Sequence, residues 1–403
     1  MILRPNYVNK IMAYADAPLV KILSGIRRSG KSTILKMVEQ ALRQRGVADN
    51  RILVYRFDSL ALDALKTARR LYDEVKGKLC KDGKTYLFFD EIQEVEDWER
   101  AVNSLMADFD VDIYVTGSNS RMMSSEISTY LTGRYVGFRV LPLSFAEYLT
   151  FREKQIQDNP MFLNGAGDAD GMGYGCGDME FSEFVRHFKY VEFARYLRFG
   201  GFPAVHLRDY SRDEAYAIVR DIYNSTVYTD IVRRNQIRKV DQLERIVDFA
   251  FDNIGRTFSA ASIAKYLKSE RRVIDNETVS SYLQKLEGAF ILHRCHRYDL
   301  QGKAILKTQE KFYVADTAMR YSVLGYTPDS VAAMLENVVY LELLRRGYEV
   351  HIGQVVGGEI DFVATRGGDR LYIQVTQEIR SQETERREYE RLLDVRDNYP
   401  KYV

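Results

Sequence analysis

Residues 25–33 read Gly-Ile-Arg-Arg-Ser-Gly-Lys-Ser-Thr and set the strongest constraint on how this chain folds. Gly25 and Gly30 are separated by four residues and followed directly by Lys31 and Ser32. An apolar segment, Leu19-Val20-Lys21-Ile22-Leu23, precedes the loop, and Ile34-Leu35-Lys36-Met37-Val38 opens a helical pattern after it. Glycines let the backbone curl until successive N–H groups converge on one point. The helix that follows aims its unpaired N–H groups and the positive end of its dipole at the same place. Such a strand–loop–helix unit takes a nucleotide phosphate. It makes Gly25, Arg27, Arg28, Ser29, Gly30, Lys31, Ser32 and Thr33 the candidate nucleotide-binding residues. Lys31 supplies a point charge with a catalytic role, and the Ser32 hydroxyl is a candidate Mg²⁺ ligand.

A second motif narrows the chemistry. Thr85-Tyr86-Leu87-Phe88-Phe89-Asp90-Glu91 is an apolar strand that ends in two carboxylates. Asp90 is the second candidate for Mg²⁺, mainly through water, and Glu91 the candidate general base that orients an attacking water. A third strand, Val111-Asp112-Ile113-Tyr114-Val115-Thr116, runs into Gly117-Ser118-Asn119-Ser120. A polar residue at its tip can reach a γ-phosphate, with Ser118 and Asn119 as candidates. A plain Gly-Ser-Asn turn reads equally well.

Length and charge bound the rest. The chain has 403 residues, enough for two or three domains. A net charge of +1 creates no global field for nucleic acid or anionic membrane, so either contact needs a local patch. Cys80, Cys176 and Cys295 are too dispersed for a disulfide framework or a zinc set, which suits a reducing cytosol. No apolar run has membrane-spanning length, and Met1-Ile2-Leu3-Arg4-Pro5 lacks signal-peptide features, so a cytoplasmic protein without membrane contact is expected.

Strands and helices alternate over residues 1–150, as a parallel α/β sheet requires, with Arg51–Phe57 as a further strand and Val136–Leu141 as the last. Trp98, Val102 and Leu105 share a helical face and read as core. Residues 151–180 form a glycine-rich stretch, densest at 164–177, that reads as a flexible insertion. Residues 181–240 are helical, interrupted by Gly200-Gly201-Phe202-Pro203. Residues 241–327 follow the order of a winged helix. Ser259 caps a second helix, Asn276 caps a third, and two strands form the wing at 289–297 and 304–314. The third helix offers Glu277, Ser280, Ser281, Gln284 and Lys285, a poor basic surface, although Arg271, Arg272, Arg294, Arg297 and Lys303 lie nearby. DNA and a protein both remain open as its partner. His293 and Cys295 share one strand face and His296 takes the other, without an apparent fourth ligand, so no metal site is expected there.

Residues 328–403 run helix, strand, strand, strand in an order that resembles restriction-type nucleases. That chemistry needs a helix carboxylate, an Asp on one strand and an acidic-x-Lys triplet on the next. Glu336 and Asp361 match the first two, whereas Gln374 and Thr376 replace the acid and the lysine. A nuclease-like α/β domain without nuclease activity is expected.

Taken together the chain resembles the prokaryotic AAA-superfamily ATPases that carry a C-terminal domain of unknown function. The resemblance is carried by Gly25 to Ser32, Phe89-Asp90-Glu91-Ile92-Gln93, Thr116-Gly117-Ser118 and Leu131-Thr132-Gly133-Arg134. It continues through Pro142-Leu143-Ser144-Phe145, Gly200 to Pro203, Asp230-Ile231-Val232-Arg233, Lys311 to Asp316 and Glu359-Ile360-Asp361-Phe362. It implies a P-loop AAA-like parallel sheet with helices, then a helical and winged-helix region and the nuclease-like tail. Arg134 matches an arginine typical of the family, which implies contact with a γ-phosphate in cis or across a homo-oligomer; a surface salt bridge is the alternative. The insertion is longer than usual for the family, and the chain stops at Val403 where relatives continue through a strand and a helix, which implies an incomplete final sheet. The expectation is an ATP- and Mg²⁺-dependent hydrolase used as a conformational switch. The alternative is a nucleotide-holding DNA-binding regulator or scaffold without significant turnover.

Overall fold

Every residue of β1 (Val20–Ser24) is buried, and after β2 (Ile52–Arg56) the same holds for β3 (Thr85–Asp90), the pattern of strands covered on both faces. With β4 (Val111–Gly117) and β5 (Tyr135–Arg139) they form a parallel sheet in the order β2-β3-β4-β1-β5. Alternate residues feed opposite layers. Leu87 and Phe89 pack with Leu71 and Val75 of α3 (Ala68–Lys78) and with Trp98, Val102 and Leu105 of α4 (Trp98–Asp108). Tyr86 and Phe88 pack with Ile11 of α1 (Pro5–Met12) and with Ile34, Val38 and Leu42 of α2 (Lys31–Gln44). The computed structural model describes residues 2–80, 83–123, 131, 133–158, 181–300, 304–355, 358–379 and 381–403. The sheet and its helices belong to a compact unit made of Met1–Val140 with Gly288–Phe290.

Strand order positions the site. β4 lies between β3 and β1, with Phe89 opposite Val115, Leu23 opposite Thr116 and Ser24 opposite Gly117. The carboxyl ends of these three strands are therefore adjacent, and the glycine loop leaves from one of them.

The second unit comprises Leu141–Glu287 and Ile291–Val403. It begins with α5 (Phe145–Asp158), α6 (Phe181–Phe199) and α7 (Arg212–Ser225), the last continuing into a π-wound stretch, Thr226–Arg233. Residues 151–158 of the expected insertion belong to α5, where buried Arg152 pairs with buried Glu192; residues 159–180, Cys176 among them, lie outside the described residues. Next come α8 (Val240–Asp252), β6 (Thr257–Phe258), α9 (Ala260–Ser269), α10 (Asn276–Gly288), β7 (Leu292–Asp299) and β8 (Ala304–Val314). Ser259 caps α9 through a box with Ser262. Asn276 is not the cap of α10 but its first residue: the Asp275 carboxylate accepts the Thr278 N–H at 2.7 Å, because it stands one position earlier, where a capping oxygen can reach that donor.

After α11 (Thr317–Leu324) and α12 (Val331–Arg345), the chain adds β9 (Glu349–Val355), β10 (Gly358–Arg366), β11 (Asp369–Ile373), α13 (Gln382–Leu393) and β12 (Lys401–Tyr402). One seven-stranded sheet, β12-β11-β10-β9-β7-β8-β6, joins the strands of this unit from Thr257 to Tyr402. β7 pairs antiparallel with β8 and parallel with β9, so the wing-like strands and the tail strands share a single sheet. Lys401 and Tyr402 pair with Tyr372 and Ile373 at its edge.

The Gly200-Gly201 turn is built around Asp316. Gly200 has φ +69°, and a Cβ there would lie 1.7 Å from Asp316 Oδ1; the Gly201 N–H donates to Oδ2 at 2.6 Å. Burial raises the Asp316 carboxyl to about 7, against the Gly201 and Ala318 N–H donors that favour its charged form. Unfolded, it would titrate near ~4. Between those values the folded protein holds a proton that the unfolded chain has lost, so stability falls as pH rises from about 4 to about 7. Denaturant titrations across that window should show this slope, about 1.4 kcal/mol per pH unit for one group, and Asp316→Asn should flatten it.

Candidate functional site

The phosphate loop depends on both its glycines. Gly30 has φ +97°, a conformation that L side chains rarely adopt. A Cβ on Gly25 would lie 2.1 Å from the Val140 carbonyl oxygen. Between them Ser29 is buried, and its carbonyl accepts a bond from Arg4 Nη1 at 2.9 Å. Its hydroxyl is buried without a partner, an orphan inside a concave run of backbone. Arg27 is half-buried and Arg28 exposed at one rim of the loop; Thr33 is exposed on the first turn of α2.

Lys31 is the first residue of α2 and is buried. Its ammonium donates to the carbonyls of Gly25 at 2.9 Å and Ile26 at 3.1 Å, and lies 4.0 Å from Glu91 Oε1. The Ser32 hydroxyl donates to Asp90 Oδ1 at 2.9 Å. At the tip of β4, Thr116 Oγ1 donates to the same oxygen at 2.5 Å and accepts the Glu91 N–H at 2.9 Å. Glu91 turns out of β3 in a left-handed conformation, φ 54°, and its Oε2 accepts a bond from Gln93 Nε2. Burial raises the Asp90 carboxyl even though Thr116 and Ser32 stabilise its ionised form. Among the described residues Asp90 has no ion pair. A buried carboxylate beside a serine hydroxyl, with no cation of its own, fits a divalent metal, and the glycine cradle with its orphan hydroxyl fits a phosphate.

Lys31, Ser32, Asp90 and Glu91 are thus gathered at one end of the sheet. Of the β4-tip candidates, Ser118 is fully buried and Asn119 half-buried, its carbonyl accepting the Met122 N–H at 3.2 Å. Thr116, not singled out as a site residue from sequence, bonds to both members of the acid pair. Its signal was a lone hydroxyl at the end of an apolar strand. Arg134 is not brought to this site. Its carbonyl accepts the Val20 N–H at 3.0 Å, which places it at the amino edge of the sheet, where its Nη2 donates to Asn103 Oδ1 at 2.9 Å. The loop leaves the carboxyl edge, a strand of five residues or about 16 Å away. Contact with a phosphate bound in the same chain is therefore excluded.

Residues 17–149 match the family described as an AAA domain, and residues 190–330 match a domain of unknown function, DUF8612. An uncharacterised protein of Haemophilus influenzae is 35% identical over 404 residues, which cover 100% of this chain and 93% of that protein. This chain is a member of the P-loop AAA superfamily. The AAA chain is also 26% identical over 376 residues to the uncharacterised protein MJ1544 of Methanocaldococcus jannaschii, covering 91% of the chain and 76% of that protein. Its fold is similar to that of the Walker-type ATPase PABY2304 of Pyrococcus abyssi, with a TM-score of 0.53, 16% identity and coverage of 80% and 96% of the two chains. The unknown-function domain covers the helical and wing-like segments and ends before α12. No helix among the described residues of this AAA protein is long and apolar enough to cross a membrane.

The second unit of the AAA chain holds a polar centre of its own. Glu336 on α12 and Asp361 on β10 are brought together, with three residues the sequence did not single out as site residues, Lys311, Tyr313 and Glu359. Lys311 on β8 lies with its ammonium 3.1 Å from Glu336, 2.6 Å from Glu359 and 3.9 Å from Asp361. Tyr313 donates to Glu336 at 2.6 Å. Gln374 accepts the Asp361 N–H at 3.3 Å, whereas the Thr376 hydroxyl turns to the Glu378 carbonyl at 3.4 Å. Burial pulls Lys311 down, but the carboxylates of Glu336, Glu359 and Asp361 outweigh it and hold the ammonium above the ordinary lysine range. Burial and then Glu336 push the Asp361 carboxyl up. On β7, His293 and Cys295 are buried on one face, while His296 points the other way and lies 3.0 Å from Glu310.

Proposed function

We propose that this AAA protein binds ATP with Mg²⁺, hydrolyses it, and uses the cycle as a conformational switch. The observation that carries the reading is the convergence of Lys31, Ser32, Asp90, Glu91 and Thr116 at one sheet edge. In this scheme the loop N–H groups and Lys31 hold the β- and γ-phosphates. Lys31 exchanges its bonds to the Gly25 and Ile26 carbonyls for phosphate oxygens. Ser32 and Asp90 would hold Mg²⁺, which supplies charge neutralisation on the phosphates when bound. Glu91 takes the proton of the attacking water, while Thr116 fixes its backbone and the Asp90 carboxylate together. The fold neighbour from Pyrococcus abyssi is a Walker-type ATPase, which agrees with this reading.

The wing-like segment and the nuclease-like centre serve recruitment in this scheme. A protein suits the former better than DNA, because two of its cations, Arg272 and Arg294, are already engaged by acids. Arg272 pairs with Asp241 at 2.9 Å, and Arg294 pairs with Glu287 at 2.7 Å and Glu310 at 2.8 Å. In the tail, Lys311 among three carboxylates argues against a metal-dependent nuclease. Arg134 reaches a phosphate only across a subunit boundary.

Calorimetry with ATP and Mg²⁺ tests the core of the proposal. Wild type is expected to bind, and Lys31→Ala to bind about 10–150-fold more weakly, the worth of one charge-assisted contact of about 1.5–3 kcal/mol. Absence of binding heat in wild type overturns the reading. The switch itself requires a partner held differently with ATP and with ADP.

A further inference from the structure

We propose that Gln93 is a positioning residue for ATP hydrolysis, aiming the Glu91 carboxylate at the phosphate loop; the inference rests on the hydrolase reading above. The two Glu91 oxygens have different surroundings. Oε2 accepts the Gln93 side-chain N–H, and Oε1 is the oxygen 4.0 Å from the Lys31 ammonium. With one oxygen tied back, the other is turned toward the place where a γ-phosphate and its water would meet. Rotation about the last bond of Glu91 would cost the amide bond, so the carboxylate is held in one orientation before substrate arrives.

The surroundings of Gln93 favour this over incidental packing. Its amide oxygen is buried and has no partner, an arrangement that costs stability and persists only where something else fixes the amide. That fixing comes from two sides. Ile92, fully buried, anchors the short helical turn Ile92–Glu94 that carries Gln93. Gly117 leaves the room for the amide: a Cβ there would lie 2.5 Å from Gln93 Oε1 and 1.8 Å from Met122 Sδ. The absent side chain at the tip of β4 and the glutamine after the acid pair thus form one device. Thr116 holds the Glu91 backbone from the same strand end.

Gln93→Leu removes the donor and keeps the bulk. It is expected to lower kcat about 10–100-fold, with KM and the calorimetric Kd for ATP within about 2-fold of wild type. Gln93→His, which retains an N–H donor, is expected to recover part of the loss. Gly117→Ala is expected to lower kcat in the same manner by displacing the amide. A readout independent of turnover is the Gln93 side-chain amide resonance in nucleotide-free protein, which should shift and exchange faster in Glu91→Ala. Absence of turnover in wild type would remove the hydrolase reading itself. Turnover in wild type with an unchanged or raised kcat in Gln93→Leu overturns the positioning role alone. If Gln93→Leu fails to fold, the resonance decides: no change between wild type and Glu91→Ala overturns the proposal.

Discussion

Glu91→Gln is expected to lower ATP turnover by about 10²–10⁴-fold, the range typical of losing a positioned general base, with nucleotide affinity within about 3-fold of wild type. The substitution is isosteric, and of the groups assigned to the phosphates it bears only on Lys31, through the lost charge. Gly25, Gly30, Lys31 and Ser32 keep their geometry because the loop is fixed by its own backbone and by Val140. Glu91 stands 4.0 Å from the Lys31 ammonium, so removing its charge frees Lys31 for phosphate rather than weakening it. The Glu91 backbone, held left-handed by the Thr116 hydroxyl, does not depend on the side-chain charge. Binding and chemistry therefore separate in this variant, whereas Lys31→Ala impairs both. Steady-state phosphate release together with ATP calorimetry checks the split. Turnover equal to wild type would remove Glu91 from the role of base.

The glycine loop and the acid-ended strand were legible in the sequence because their constraints are largely local. A left-handed Gly30 and a carboxylate pair closing an apolar strand are each set by residues within one loop or strand, whereas the contact that holds Gly25 comes from the distant Val140 carbonyl. What sequence missed there depends on neighbours in space. Thr116 meets the acid pair because strand order puts β4 between β3 and β1, and the Gln93 amide fits beside β4 because Gly117 lacks a side chain. Arg134 shows the reverse: the family resemblance implied a phosphate contact in cis or in trans, but the register of β5 against β1 puts it at the far edge of its own sheet. In the second unit, helix and strand periods were readable, yet the pairing of β7 with β9 was not, since period-two alternation does not say which strands join. Lys311 escaped for the same reason. It lies 25 residues from Glu336 and 48 from Glu359, and only the sheet brings them together.

That centre yields the largest expected change in stability. Lys311→Met is expected to destabilise the second unit by about 3–5 kcal/mol, the usual penalty for removing one partner of a buried ion pair. For a unit of this size that corresponds to roughly 6–20 °C in melting temperature. Methionine fills nearly the same volume, so cavity formation contributes little and the loss reports the charge. Without the ammonium, Glu336, Glu359 and Asp361 face one another around Tyr313 with no cation among them, and burial already penalises the Asp361 charge. Removing one negative charge should then restore part of the loss. Lys311→Met with Glu336→Gln is expected to melt above Lys311→Met alone, because Tyr313 can still donate to the glutamine oxygen and two carboxylates repel less than three. The same logic separates a lysine-filled centre from a metal centre. With the ammonium 2.6–3.9 Å from all three carboxylates, a divalent ion would have to displace a buried charge. Millimolar Mn²⁺ should therefore leave the wild-type melting temperature unchanged. A clear rise, or DNA cleavage in Mg²⁺ or Mn²⁺ lost with Asp361→Ala, would mean that the lysine yields its place and the centre works as a metal site.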